Sequence, residues 1–171
     1  MLRTLAVLLL LAQAGATRSL PAVDVKLTDI QATVKQEIAN KTTDIQIRTV
    51  DAGGPHVGIA VVHRDKGSGP NGAAIHDKVS EVYQVIEGAG TFVTGGALVN
   101  AQPRETGSDT VTRLSGPGAG GTGIKGGVSR RLVKGDMVVI PAGTPHWFSE
   151  IPDSITYTVV RIDPARVIKL K

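Results

Sequence analysis

The sequence predicts an all-β fold, a closed sandwich or barrel of short strands preceded by one short helix. Two observations predict it. Apolar and polar residues alternate over Ile45–Val50, His56–Arg64, Glu81–Glu87 and Ile155–Ile162, the period of half-buried strands. Around these runs, 21 glycines and nine prolines supply turn signals, and serial short strands joined by glycine turns close into a sandwich or barrel. The chain has 171 residues, 41% hydrophobic and 20% charged. That balance suits one globular domain with a sizeable core and argues against disorder.

Residues 1–16 read as an export signal. Arg3 gives a positive start, Leu5–Ala12 is a continuous apolar run, and Ala14-Gly15-Ala16 offers small residues for cleavage before Thr17. The run is too short to span a hydrocarbon core of roughly 30 Å, so no stable membrane anchor is expected and the mature chain is expected to be periplasmic or secreted. An uncleaved N-terminal helix is the rival reading. No cysteine is present, which excludes disulfides and thiolate metal ligands. Residues 17–43 then form a spacer through Pro21 and an amphipathic helix, about Asp29–Ala39. Leu27, Ile30, Val34 and Ile38 recur at helical spacing, Thr28 with Gln31 has the form of a capping box, and the apolar face is expected to pack on the barrel exterior. Asn40-Lys41-Thr42 matches the glycosylation acceptor pattern, which matters only in a eukaryotic secretory route.

Residues 44–171 form the main domain. Val57, Ile59 and Val61 share one face of the strand His56–Arg64, and His63 has their parity. It is therefore either an inward-pointing metal ligand or a polar residue at the rim. His56 lies in a Gly-Pro turn and is expected to be solvated. Residues 65–73 form a loop, and Gly88-Ala89-Gly90 is expected to turn the chain. Ser115–Gly127 holds seven glycines in thirteen residues and is expected to be a flexible loop near the barrel mouth, either a lid or disordered. Gly118, Gly120 and Gly123 fit G-x-G-x-x-G, but no apolar strand precedes them and no helix follows, which argues against dinucleotide binding. A formal charge of +4 would permit an anionic partner. The basic residues are scattered, however, and only five aromatics exist, so no nucleic-acid interface is expected.

Two stretches carry the chemistry. In Gly135–His146, GDMVVIPAGTPH, a glycine turn launches the strand Met137–Ile140, and Pro141-Ala142-Gly143 turns the chain to deliver His146. In the earlier stretch His76 lies five residues before Glu81, and a strand runs on to Gly88. These stretches resemble the paired motifs of the cupin superfamily. Gly135, Pro141, Gly143 and His146 match the second motif at every spacing, with Glu150 where an asparagine usually stands. His76, Glu81 and Gly88 match the second histidine, the glutamate and the closing glycine of the first motif. Ala74 occupies the place of that motif's first histidine, and Ser68 that of its opening glycine. The resemblance implies a double-stranded β-helix, or jelly-roll, cupin barrel over residues 44–171 with a short N-terminal helix, and a homodimer as the common assembly.

The resemblance also implies that His76, Glu81 and His146 are the ligands of one divalent metal. Two imidazoles and a carboxylate suit Fe, Mn or Zn, with Ni or Cu as further candidates, and disfavour Ca. Three protein ligands leave positions open for water, substrate or dioxygen. Tyr83 shares the face of Glu81 and could hydrogen-bond a substrate or metal-bound water as a proton donor, or be a core tyrosine with a satisfied hydroxyl. Phe148, on the face of His146, is expected to wall the pocket. Trp147 is expected to pack outside, against the N-terminal helix or a second subunit, and Lys78 to flank the mouth or stay solvated. Cupins include dioxygenases, decarboxylases, isomerases and lyases. The expected function is a metalloenzyme acting on a small organic molecule; the alternative is a non-catalytic binding or structural cupin with a vestigial metal site.

Overall fold

The computed structural model describes residues 19–67 and 72–171. The export-signal reading of residues 1–16, and Ser68 within the loop at 65–73, lie outside the described residues. The helix α1 (Leu27–Asn40) begins earlier than its pattern suggested, because the Asp29 carboxylate accepts the Lys26 N–H at 3.1 Å and closes the first turn. Thr28 and Gln31 are therefore inside the helix and do not form its cap. Beyond α1 come β1 (Ile45–Asp51), β2 (His56–Asp65), β3 (Ala73–His76), β4 (Ser80–Thr94), β5 (Ala97–Val99), β6 (Gln102–Pro103), β7 (Gly118–Gly121), β8 (Gly123–Lys125), β9 (Val128–Val133), β10 (Met137–Ile140), β11 (His146–Glu150) and β12 (Ser154–Asp163).

Among the described residues, ten of these strands form one curled antiparallel sheet in the order β1-β2-β12-β4-β11-β3-β7-β6, with β9 and β10 also paired to β4. The strand β4 holds the curl together. Its first half pairs with β12 and β10, its second half with β9 and β11. The turn expected at Gly88–Gly90 is a bend within this single long strand. A register shift against Thr156 and Tyr157 leaves an extra residue on β4, and a bulge of that kind bends a strand and changes which residues face inward. Glu81, Tyr83 and Val85 are buried before it; Gly90 and Phe92 are buried after it. Gly88 is required there, with φ at +76° and an added Cβ falling 2.0 Å from the Ser154 carbonyl.

The inner core comprises Ala60, Val62, Tyr83, Val85, Phe92, Leu132, Val138, Ile140, Phe148, Ile151, Ile155, Tyr157 and Val159. Ala60 and Val62 supply the inner face of β2, opposite in parity to Val57, Ile59, Val61 and His63. Alternation reports two faces without saying which is inside, and here both are covered, since α1 packs on β1 and β2 from outside. His63 consequently points toward α1. Its Nδ1 meets Thr156 Oγ1 at 2.8 Å and its Nε2 meets Asp65 at 3.3 Å, so it is no metal ligand. His56 is not solvated either, for it opens β2 with Nδ1 at 2.7 Å from the Ile168 carbonyl. The alternation of β1 is broken by a bulge at Gln46–Arg48 that buries Gln46 and Thr49.

The glycine-rich segment is ordered strand. Its first part, β7, pairs residue for residue with β3, His76 opposite Gly118, and its second, β8, pairs with β5. Glycine is needed because backbones pass closely: a Cβ on Gly118 would lie 2.0 Å from the Ile75 carbonyl, and one on Gly121 2.8 Å from that of Val99. Composition alone does not distinguish a flexible glycine run from one selected for close approach.

The helix α1 is anchored by a buried carboxylate. Glu37 accepts the backbone N–H groups of Ile45 at 2.9 Å and His63 at 2.7 Å. Burial outweighs these bonds and pushes its carboxyl up to about 7. The folded state then binds more protons than the unfolded one between about pH 4.5 and 7, so stability falls as pH rises through that window. Denaturant unfolding from pH 4.5 to 7.5 should show that decline in the wild type, and Glu37→Gln should flatten it. The bend in β4 gives a second expectation. Gly88→Ala should lose about 2 kcal/mol or more, a fall of roughly 4–8 °C in Tm by thermal melting.

Candidate metal centre

The expected site residues come together on three strands. His76 ends β3, Glu81 and Tyr83 lie near the start of β4, and His146 opens β11. The Pro141–Gly143 turn is fastened directly to the first stretch, since Gly143 N–H donates to the His76 carbonyl at 2.7 Å and Ala142 N–H to Ser80 Oγ at 3.1 Å. His146 is in register with Ala74 across the β11–β3 pair. Ala74 also lines the cavity, so the position that lacks an imidazole borders open space.

His76 Nε2 and His146 Nε2 each lie 3.3 Å from the same oxygen, Glu81 Oε2. Donor atoms of this group all lie within 4.8 Å of one another, and all three residues are buried. A separation of 3.3 Å is about that of neighbouring ligands around an ion bound at roughly 2.0–2.2 Å. The His146 tautomer also fits coordination, because Nδ1 faces the Thr144 carbonyl at 3.0 Å. A carbonyl only accepts, so Nδ1 carries the proton and Nε2 keeps its lone pair toward Glu81. Burial lowers the His146 pKa to about 4, so its imidazole is neutral near pH 7. His76 Nδ1 is buried without a hydrogen-bond partner.

Glu81 has no solvent exposure. Against the cost of that burial, His76 and Arg161 beside it hold its carboxyl well below the usual carboxylate range. Arg161 is the site residue that sequence reasoning missed. It is buried and makes four hydrogen bonds to three residues: Nε donates to Glu81 Oε1 at 2.9 Å, Nη1 to Gln46 Oε1 at 2.8 Å, and Nη2 to both Asp44 oxygens at 2.7 and 2.6 Å. A signal existed, because Arg161 has the inward parity of Ile155, Tyr157 and Val159 on β12. Tyr83 donates its hydroxyl to Glu81 Oε2 at 2.9 Å. Burial, then the Glu81 charge, raises its pKa well above the ordinary phenol value, which keeps that proton in place.

These groups border a cavity of about 220 Å³. The chain's five aromatic residues, Tyr83, Phe92, Trp147, Phe148 and Tyr157, all line it, with Tyr83–Tyr157 and Phe92–Phe148 ring centroids 4.7 Å apart. Phe148 walls the pocket as expected. Trp147, expected to pack outside, lines the cavity, and its ring lies 3.4 Å from where a Cβ on Gly123 of β8 would stand. Lys78 is exposed and is not part of the cavity wall. Arg64 and Arg104, also absent from the sequence reading, complete the wall.

A curled antiparallel double-stranded β-helix with a buried His/Glu/His cluster inside it defines the class of protein. The chain belongs to the cupin family: the family model described as Cupin matches residues 29–170. No curated protein of similar sequence was found. Among solved structures, the chain is similar to a protein from Bacillus halodurans, with 15% identity over 84% of this chain and 83% of that one and a TM-score of 0.47. It is similar to a double-stranded β-helix protein from Klebsiella pneumoniae at 13% identity over 72% and 80% of the two chains, with a TM-score of 0.42. An oxalate oxidase aligns at 25% identity over 63% of this chain and 41% of its own, with a TM-score of 0.40.

The Arg161 network generates a stability expectation. Arg161→Ala would leave the Glu81 and Asp44 carboxylates without their shared counter-charge and should cost about 3–5 kcal/mol, measured by urea unfolding at pH 7.

Proposed function

We propose that this cupin is a metal-dependent enzyme that acts on a small organic molecule, with His76, Glu81 and His146 holding one divalent first-row metal. The observation that carries the reading is the convergence of two imidazole nitrogens on one carboxylate oxygen at the wall of a cavity that side chains leave open. A structural site would be closed by a fourth protein ligand. Here Ala74 stands where the additional imidazole of the paired motif would come, and it supplies only a methyl group. Fe, Mn and Zn suit the two-nitrogen, one-oxygen donor set best, with Ni and Cu as further candidates. When bound, such an ion polarises a substrate oxygen or, if redox-active, supports oxidation chemistry.

The chain's own residues have separable tasks in this proposal. Arg161 fixes the Glu81 carboxylate from Oε1, which leaves Oε2 aimed at the cluster. Tyr83 donates to Oε2 and thereby orients it; proton delivery to a substrate by Tyr83 would require that bond to be exchanged for one to the substrate. Thr144 sets the His146 tautomer. The five aromatic rings supply apolar surface to the cavity wall. A plugged, apolar barrel would have favoured the non-catalytic alternative, whereas the cavity holds arginine, histidine and carboxylate groups. Among the described residues no helix is long and apolar enough to cross a membrane. Export through residues 1–16, and a homodimeric assembly, remain part of the proposal on sequence grounds.

Elemental analysis of protein purified without chelator or a metal-affinity tag tests this. The wild type should hold about one metal per chain, and the His76→Ala, His146→Ala double variant under about a tenth of that. A wild type that stays empty after reconstitution with Fe(II), Mn, Zn, Ni and Cu in turn overturns the metalloenzyme reading.

A further inference from the structure

The cavity wall carries more arginines than its own carboxylates form ion pairs with. Three arginines line it, Arg64, Arg104 and Arg161, against two carboxylates, Asp44 and Glu81. Both carboxylates pair with Arg161. Arg64 is left with one contact, Nε donating to the Tyr157 hydroxyl at 3.1 Å. Arg104 is left with one side-chain contact, Nη1 donating to the Ile75 carbonyl at 2.8 Å. Among the described residues neither forms an ion pair with a carboxylate, although the charges of Asp77 and Glu81 reach Arg104 and that of Asp44 reaches both. Both are withdrawn in part from solvent, and a withdrawn guanidinium without a counter-ion is costly.

The two arginines are also held in place. Tyr157, which fixes Arg64, stacks on Tyr83, and Tyr83 bonds to Glu81. The carbonyl that fixes Arg104 belongs to Ile75, the neighbour of His76. Gly118 keeps a path clear for Arg104, since a Cβ there would lie 2.5 Å from Nη1. Arg64 therefore approaches from the Tyr157 side and Arg104 from the His76 side. Beside the hydroxyls of Thr43, Thr110 and Ser115, the wall has an apolar part made by Val62, Phe92, Phe148 and Leu114. That lining suits a carbon skeleton better than a bare inorganic oxyanion.

We infer that Arg64 and Arg104 form an anion subsite that selects a small organic carboxylate as the ligand of this cavity. The geometry favours a planar carboxylate, which matches the guanidinium fork with two parallel hydrogen bonds. A cavity of about 220 Å³ lies below the roughly 300–1,000 Å³ of sites for drug-sized ligands, which restricts the ligand to a short acid. This inference rests on the proposed function in taking the carboxylate as substrate, but the charge argument holds with or without a metal.

Trp147, the sole tryptophan, lines the cavity and reports on its contents. Its fluorescence should be titrated with malonate, with neutral malonamide and with inorganic phosphate, on metal-free and metal-loaded protein. Saturable binding of malonate to the metal-free wild type, at least tenfold tighter than malonamide and tighter than phosphate, is expected. Arg104→Gln and Arg64→Gln should each weaken malonate at least tenfold while metal content by elemental analysis stays unchanged. Arg104→Lys, which keeps the charge and loses the fork, should fall between wild type and Arg104→Gln and provides the measurement if the glutamine variant does not fold. Equal binding of malonamide, tighter binding of phosphate, no saturable response to malonate, or retention of affinity in the variants overturns the subsite. Failure of the metalloenzyme reading would appear separately, as absence of metal with the anion response intact.

Discussion

A carboxylate with no solvent exposure can remain ionised only if a counter-charge is buried with it. Glu81 is that carboxylate and Arg161 is its counter-charge. Their bond joins β4 to β12 across the middle of the curled sheet. Arg161 extends it further, through Gln46 to β1 and through Asp44 to the segment that follows α1. The orientation of Glu81 Oε2 toward the two histidines thus depends on the packing of four separate parts of the chain. Asp44 adopts a left-handed backbone conformation, φ +68°, which aspartate tolerates better than most residues. The N-terminal helix is consequently more than an ornament on the barrel, because Glu37 and Asp44 tie it to the sheet and to the network behind the site.

The same economy of elements appears in β4. One strand carries Glu81 and Tyr83 in its first half and Phe92 in its second, and the bulge near Gly88 reverses the inward parity between them. Without that reversal, Phe92 would point outward and the cavity would lose the ring that packs on Phe148 and Tyr83. The glycine-rich β7 has a comparable task. By lying close against β3 it supports the strand that bears Ala74 and His76, and it leaves room for Arg104.

Concentrating every aromatic ring of the chain around a small cavity has an energetic meaning. Rings supply large apolar contact at low side-chain entropy. A cavity walled in this way also strengthens electrostatic interactions inside it by lowering the local dielectric. The arginines, the histidines and Glu81 would therefore act on a molecule bound there more strongly than the same groups at a surface.

How much of this was legible depended on whether the signal was local. The spacing Gly135, Pro141, Gly143, His146 and the pair His76, Glu81 picked out residues that the fold brings together, since turn chemistry and strand parity are local properties. Alternation placed Tyr83 beside Glu81 and Phe148 beside His146 for the same reason. It could not say which face of β2 was inside, because α1 covers the other face and makes both apolar; His63 was ambiguous on that account. It missed the bend in β4, since glycine marks a turn and a bulge alike, and it read β7 as loop, since only the neighbouring backbone reveals why side chains are absent. Arg161, Arg104 and Arg64 lie outside the motifs; Arg161 carries the inward parity of β12, but nothing in the local context of Arg104 and Arg64 distinguishes them from solvated arginines. By itself, the sequence determined the class of fold and the identity of the three clustered residues. Tertiary structure alone decided what charges face them, because pairing between distant residues is a property of how the strands close and not of any one strand.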